Sequence, residues 1–189
     1  LGLFNIHNLS LGIAFAFENA FDYQLIAEKV SSFAGVEGRC EVLQKRPFGV
    51  IVDYAHSPDS LKKILENCRA MTSGKIILVF GATGERDREK RPIMGAIASN
   101  LADMTILTND DTYGENPEEI VKELRSGFSK DNYHVQLDRK AALKMAIEMA
   151  RPGDTVIAAG MGHEKYQIIG DKKVPHNDKE CLNSFLSKM

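Results

Sequence analysis

The chain has 189 residues, 43% apolar and 26% charged, with 24 Lys plus Arg against 26 Asp plus Glu. That length supports one sizeable core and a small appendage, and a net charge of −2 offers no basic excess for a nucleic-acid surface. No apolar run approaches the roughly 18 residues that cross a bilayer, and Cys40, Cys68 and Cys181 are too scattered for a disulfide framework or a Cys-x-x-Cys metal site.

The chain opens at Leu1 without a charged and then apolar leader, so a piece of a longer, cytoplasmic protein is expected. Leu9, Ile13, Ala16 and Phe17 recur at helical spacing, and Leu25, Ile26 and Val30 do so less cleanly. Two helices joined around Asn19–Asp22 are therefore expected within residues 1–35. Phe15, Phe17 and Phe21 are more aromatics than so short a hairpin can cover. These helices are expected to pack on a neighbour outside the chain.

Residues 36–189 read as a second domain. Gly49–Val52 is a strand candidate ending at Asp53. Ser57 then caps a helix whose Leu61, Ile64, Leu65 and Cys68 share one face, with Pro58 at its first position. Lys75–Phe80 is a continuous apolar run, as in a strand covered on both faces. Pro92 is expected to open a helix carrying Met94, Ile97, Ala98 and Leu101. Met104–Leu107 follows as a strand. Pro117 then starts a helix with Ile120, Val121, Leu124 and Phe128 on one side. Tyr133–Leu137 reads as a strand, Asp138 as the cap of a helix through Leu143, Ala146, Ile147 and Ala150, and Thr155–Ala159 as the last strong strand. A weak hairpin over Gly170–Asp171 and a helix from Asp178 close the chain. This alternation is the signature of an α/β fold, a Rossmann-like mostly parallel sheet with helices on both faces.

In such folds ligands gather at the carboxyl ends of the strands. Four loops lie there. Asp53–Ser57 contains Asp53, suited to ribose hydroxyls, and His56; it reads equally well as a capping loop. Gly81–Arg91 has two glycines and a dense charge run, but neither Gly-x-Gly-x-x-Gly nor Gly-Lys-Ser/Thr. Thr108–Asn116 carries Asp110 and Asp111, able to hold a cationic group or a metal, or else serves only to cap the next helix. Gly160–Glu164 puts His163 and Glu164 on a glycine-flanked turn. His7, His134 and His176 read as structural or exposed.

Together these stretches resemble the C-terminal part of a Mur ligase, most closely of the type that adds the third stem residue to UDP-MurNAc-dipeptide in peptidoglycan synthesis. The resemblance rests on Phe4-Asn5-x-x-Asn8, Gly35-Val36-x-Gly38-Arg39-x-Glu41 and Val52-Asp53-Tyr54-Ala55-His56-Ser57-Pro58-Asp59. It continues through Phe80-Gly81, Arg86-Asp87, Lys90-Arg91-Pro92-x-Met94-Gly95 and Gly160-x-Gly162-His163-Glu164-x-Tyr166-Gln167, in the same order from end to end.

The resemblance implies an ATP-dependent, amide-forming ligase. Residues 1–35 would be the last helices of a central ATPase domain, and 36–189 the amino-acid-binding domain. ATP and Mg2+, and UDP-MurNAc-dipeptide, would be held mainly by domains this chain lacks. No catalytic and no metal-binding residue is assigned within the chain, which would be inactive alone. Asn5, Asn8, Arg39, Asp53 and His56 would lie on the nucleotide side. Arg86, Asp110, Asp111, Tyr113, Gly160, His163 and Glu164 would form the amino-acid side, with Arg86 gripping the carboxylate.

Two stretches depart from the family's pattern. Met161 stands where a Lys is frequent. Asp110-Asp111-Thr112-Tyr113 replaces the Asp-Asn-Pro-Arg of diaminopimelate-using members. A phenol offers no charge to a distal carboxylate, so lysine or ornithine is expected ahead of meso-diaminopimelate. A folylpolyglutamate-synthase-like ligase domain is the alternative within the superfamily, and a non-catalytic α/β binding module the alternative outside it.

Overall fold

The computed structural model describes residues 3–189, with side chains from Ile6 onward. Two compact units are present, Leu1–Val36 and Glu37–Met189.

The first unit is a helical pair, α1 (Leu3–Glu18) and α2 (Tyr23–Ser32). Asp22 starts α2 by accepting the Leu25 N–H at 3.0 Å, which satisfies one of the free donors of the first turn. No residue of α2 is buried, and Leu11, Phe15, Phe17, Phe21 and Tyr23 are exposed. Asn8 is exposed on α1, and the side chain of Asn5 lies outside the described residues.

The second unit is built on a six-stranded sheet. Its strands are β1 (Glu41–Gln44), β2 (Gly49–Asp53), β3 (Ile76–Phe80), β4 (Met104–Leu107), β5 (Tyr133–Val135) and β6 (Thr155–Ala159), in the spatial order β1-β2-β6-β3-β4-β5. β1 is antiparallel to β2, and every other pairing is parallel. The intervening helices are α3 (Pro58–Arg69), α4 (Lys90–Leu101), α5 (Pro117–Arg125) and α6 (Arg139–Met149). A hairpin of β7 (Tyr166–Ile169) and β8 (Lys172–Pro175) leads into α7 (Asp178–Leu186).

Side-chain alternation divides the core between two layers. Val50, Val52, Ile77, Val79, Val156 and Ala158 face α6 and α7, where Leu143, Ile147 and Leu182 are buried. Ile51, Leu78 and Ile157, one residue out of phase, are equally buried in the sheet, and Leu61, Ile64 and Leu65 of α3 are buried with them. Ser57 and Ser60 form a reciprocal cap at the start of α3, with Pro58 just inside it.

Four details differ from the sequence reading. β1 is a strand that Glu-Val-Leu-Gln does not announce. It is a four-residue edge, largely half-buried, held only by β2. α4 begins at Lys90, ahead of Pro92, which still falls in the first turn, where a missing N–H costs no helical hydrogen bond; Arg91 in that turn is fully buried. Phe128 lies beyond the end of α5 and packs edge-on against Tyr133, ring centroids 4.9 Å apart. β5 stops at Val135, two residues short of the expected Leu137, as the outermost strand of the sheet.

Candidate functional site

Because β2, β6, β3 and β4 run parallel and side by side, their carboxyl ends open onto one edge. The four polar loops follow them directly. Their backbones are interlocked at positions where a side chain would not fit. Gly160, at φ +108°, leaves room for Asp110, whose Oδ2 would stand 2.6 Å from any Cβ placed there. Gly162, at φ +52°, lets the fourth loop pass within van der Waals contact of Tyr54 and Gly38.

On the β2 side, Tyr54 is the hub. The Arg39 guanidinium lies over its ring at 4.6 Å. The His56 ring meets it edge-on at 4.7 Å, and the His163 ring sits at 5.3 Å. Arg39, His56 and His163 are themselves exposed. Asp53 is buried, and its Oδ2 accepts the Cys40 N–H at 2.6 Å. Burial raises its carboxyl, against the opposing pull of the Cys40 and Ala55 amides and the Arg39 charge. One Asp53 oxygen is thus committed to tying the 38–40 segment to the end of β2.

On the β4 side, Asp110 is buried and its Oδ1 accepts the Asp111 N–H at 2.7 Å. Asp111 Oδ1 accepts the Ile168 N–H at 2.8 Å, and the Tyr113 carbonyl accepts the Gly170 N–H at 2.8 Å. The third loop is therefore stitched to the β7–β8 hairpin. Tyr113 sits at φ +48°, a conformation a non-glycine residue adopts at a cost. Burial raises the Asp111 carboxyl, and the neighbouring Asp110 and Glu164 charges add to this. The Tyr54 phenol is likewise pushed up, first by burial and then by Glu164, Asp110 and Asp111. The three carboxylates form one negative pole at the ends of β4 and β6.

The charge run of the second loop resolves into distinct roles. Arg91 donates to Glu115 at 2.8 and 3.1 Å, to Glu123 at 2.7 Å and to the Thr83 carbonyl at 3.1 Å. Its hydrogen bonds hold the Glu115 carboxyl down at about 2. Arg88 pairs with Glu123. Lys90 donates to the His56 carbonyl at 3.1 Å. Glu85, at φ +54°, is pinned between the Glu115 carboxylate and the Gly114 amide. Arg86 follows that turn, exposed, and among the described residues it is the cation of this loop that no acid or carbonyl engages. Among the described residues no cluster of His, Cys, Asp and Glu is suited to hold a metal ion, and no Gly-Lys-Ser/Thr occurs in the sequence.

A family model described as "Mur ligase, glutamate ligase domain" matches residues 38–162. The chain belongs to the Mur ligase family. It is 44% identical, over its whole length, to the UDP-N-acetylmuramoyl-L-alanyl-D-glutamate–2,6-diaminopimelate ligase of Clostridioides difficile, and covers 40% of that protein. The chain thus spans about 40% of the length of the curated Mur ligases it matches. A solved structure of a ligase of the same name superposes at TM-score 0.79 and 36% identity over 100% of this chain and 39% of the other. The folylpolyglutamate synthase of Thermotoga maritima, at 21% identity and TM-score 0.61 over 84% of this chain and 36% of that one, shares the fold alone. No described helix is long and apolar enough to cross a membrane.

Most of the residues singled out from the sequence stand on the same strand-end edge: Arg39, Asp53 and His56, and Arg86, Asp110, Asp111, Tyr113, Gly160, His163 and Glu164. Sequence reasoning missed Tyr54 as the hub; it was visible only as one letter of a motif. It also missed Arg139, which is fully buried. Arg139 donates to the Ala159 carbonyl at 2.8 Å and the Asn109 carbonyl at 3.3 Å, beneath two of the loops.

Proposed function

We propose that this chain is the amino-acid-binding portion of an ATP-dependent ligase that extends UDP-MurNAc-dipeptide by its third residue. The observation that carries the reading is the pairing of one unengaged guanidinium, Arg86, with the negative pole of Asp110, Asp111 and Glu164 on the same edge. An amino acid with a distal ammonium matches both charges: its α-carboxylate suits the guanidinium fork and its far end suits the carboxylates. Its α-amino group is then free to attack an acyl phosphate on the dipeptide, forming the amide and releasing phosphate. Arg39, Asp53 and His56 are proposed to face the nucleotide. Residues 1–35 and 36–189 are proposed as the end of the ATPase domain and the amino-acid domain. With no phosphate-cradling loop in the chain, ATP phosphates and Mg2+ are assigned to protein outside it.

Two readings of the amino acid each have support. Tyr113 puts no positive charge where a second carboxylate would lie, and Arg88, Lys90 and Arg91 are already engaged, which favours lysine or ornithine. The relatives are named for 2,6-diaminopimelate, which favours that acid. The test is a chimera joining the upstream part of the Clostridioides difficile relative to this chain. ADP release is expected with UDP-MurNAc-dipeptide plus lysine, ornithine or meso-diaminopimelate, the highest kcat/KM naming the substrate. The 189-residue chain alone is expected to give none. Equal turnover with alanine, or ADP release by the chain alone, would overturn the proposal.

A further inference from the structure

We propose that the first turn of α7 is a positioning element for this site, its residues Asn177, Asp178 and Lys179 each holding a different site segment. The inference rests on the functional reading above, which it deepens.

Asn177 uses both ends of its amide. Its Oδ1 accepts the Glu180 N–H at 2.9 Å and caps α7. Its Nδ2 donates to the Glu164 carbonyl at 2.9 Å. One partner only donates and the other only accepts, so the orientation of the amide follows from the two contacts. Asp178 takes the Arg139 fork at 2.8 and 2.7 Å. Arg139 passes that hold to the carbonyls of Ala159 and Asn109, the residues just before Gly160 and Asp110. Lys179 reaches Glu41 at 2.7 Å, and Glu41 accepts the Gly38 N–H at 2.9 Å, next to Arg39.

Three successive residues thus reach the fourth loop, the ends of β4 and β6, and the Arg39 segment. A helix serving only to cover the core needs an apolar face such as Leu182 supplies. It has no need of polar links to three loops that meet at a ligand edge. The arrangement predicts that each link can be loosened separately.

Asn177→Asp keeps the acceptor that caps the helix and replaces the donor with an oxygen that faces the Glu164 carbonyl. Lys179→Met removes the cation that pairs with Glu41 at 2.7 Å and with Glu37 at 3.4 Å, both in the segment around Arg39, and Lys179→Arg restores it. Amide hydrogen exchange of the 189-residue chain reads the outcome. The Glu164 amide, bonded to the Met161 carbonyl at 2.9 Å, is expected to exchange about tenfold faster in Asn177→Asp, with Gly38 and Leu78 within about twofold of the unsubstituted chain. Gly38 is expected to accelerate in Lys179→Met and recover in Lys179→Arg, with Glu164 unchanged. Acceleration of all three amides together in both variants would mark α7 as a structural helix only, and overturn the proposal. An unchanged Glu164 amide in Asn177→Asp would overturn it too. Failure of the functional reading shows separately, as the absence of lysine- or diaminopimelate-induced shifts in the unsubstituted chain.

Discussion

Arg139→Met is expected to destabilise the α/β unit by about 3–5 kcal/mol, because it leaves the Asp178 carboxylate buried without its cation. Both side chains are fully buried, and the fork that joins them is bidentate. A domain of this size has only about 5–15 kcal/mol of stability in total, so the variant is expected to lose a large share of it. Urea titration measures the loss. The double variant Arg139→Met/Asp178→Leu is expected to recover much of it, since an apolar pair removes the orphaned charge. A loss under about 1 kcal/mol for the single variant would contradict this account. The same pair sets an acid limit. Burial alone would raise the Asp178 carboxyl, but the Arg139 charge and fork, with His176, hold it at about 2. An unfolded aspartate titrates near ~3.9. A carboxyl depressed on folding adds stability above its unfolded value and loses it as the pH falls. Stability is therefore expected to decline from about pH 4 down toward pH 2, and less steeply in the double variant.

Arg86→Ala is expected to raise the amino-acid KM of the chimera by about 2–4 kcal/mol, the loss typical of a charge-assisted bidentate contact that forfeits one partner. At about 1.4 kcal/mol per decade this is roughly 30- to 1000-fold. The KM for ATP is expected to stay put. Stability is expected to change by no more than about 0.5 kcal/mol, since the side chain is exposed and holds nothing in the fold. Arg91→Ala makes the contrast: its guanidinium ties Glu115, Glu123 and Thr83 together, so its loss is expected in stability. An unchanged amino-acid KM in Arg86→Ala would return Arg86 to the class of solvated surface charges.

The parts of the fold legible in the sequence are those whose cause is local. Ser57-Pro58 declares a helix start because an N-cap and the fixed φ of proline act within one turn. Met104–Leu107 and Thr155–Ala159 emerge at their expected bounds because both are short, mainly apolar runs that the sheet buries almost completely. The strand-end rule then locates the four loops without further information. What stayed hidden depends on partners distant in sequence. Arg91 and Arg86 stand five residues apart in one charge run, and nothing local distinguishes them. Only Glu115 and Glu123, brought over by the third loop and α5, make one a buried tie and leave the other free. Arg139 reads as a helix-opening residue until α7 delivers Asp178 to it. His176, read as structural or exposed, is structural: its side chain is buried against Asp178 at 2.8 Å, a partner that nothing local in the sequence names. β1 has four residues and one neighbouring strand, too little pattern for alternation to register.

The most direct test is a backbone amide chemical-shift map of the 189-residue chain, titrated with L-lysine and with meso-diaminopimelate. The account predicts that shifts concentrate at Arg86, at Asp110–Tyr113 and at Gly160–Glu164, that Arg86→Ala abolishes them, and that glycine, lacking a distal ammonium, produces weaker ones. A groove between α3 and α4, lined by Arg69, Asp103, Lys130 and Asn132, offers a natural control elsewhere on the same unit. Shifts centred on that groove, or no shift at the carboxyl ends of β3, β4 and β6 with either amino acid at saturating concentration, would contradict the account.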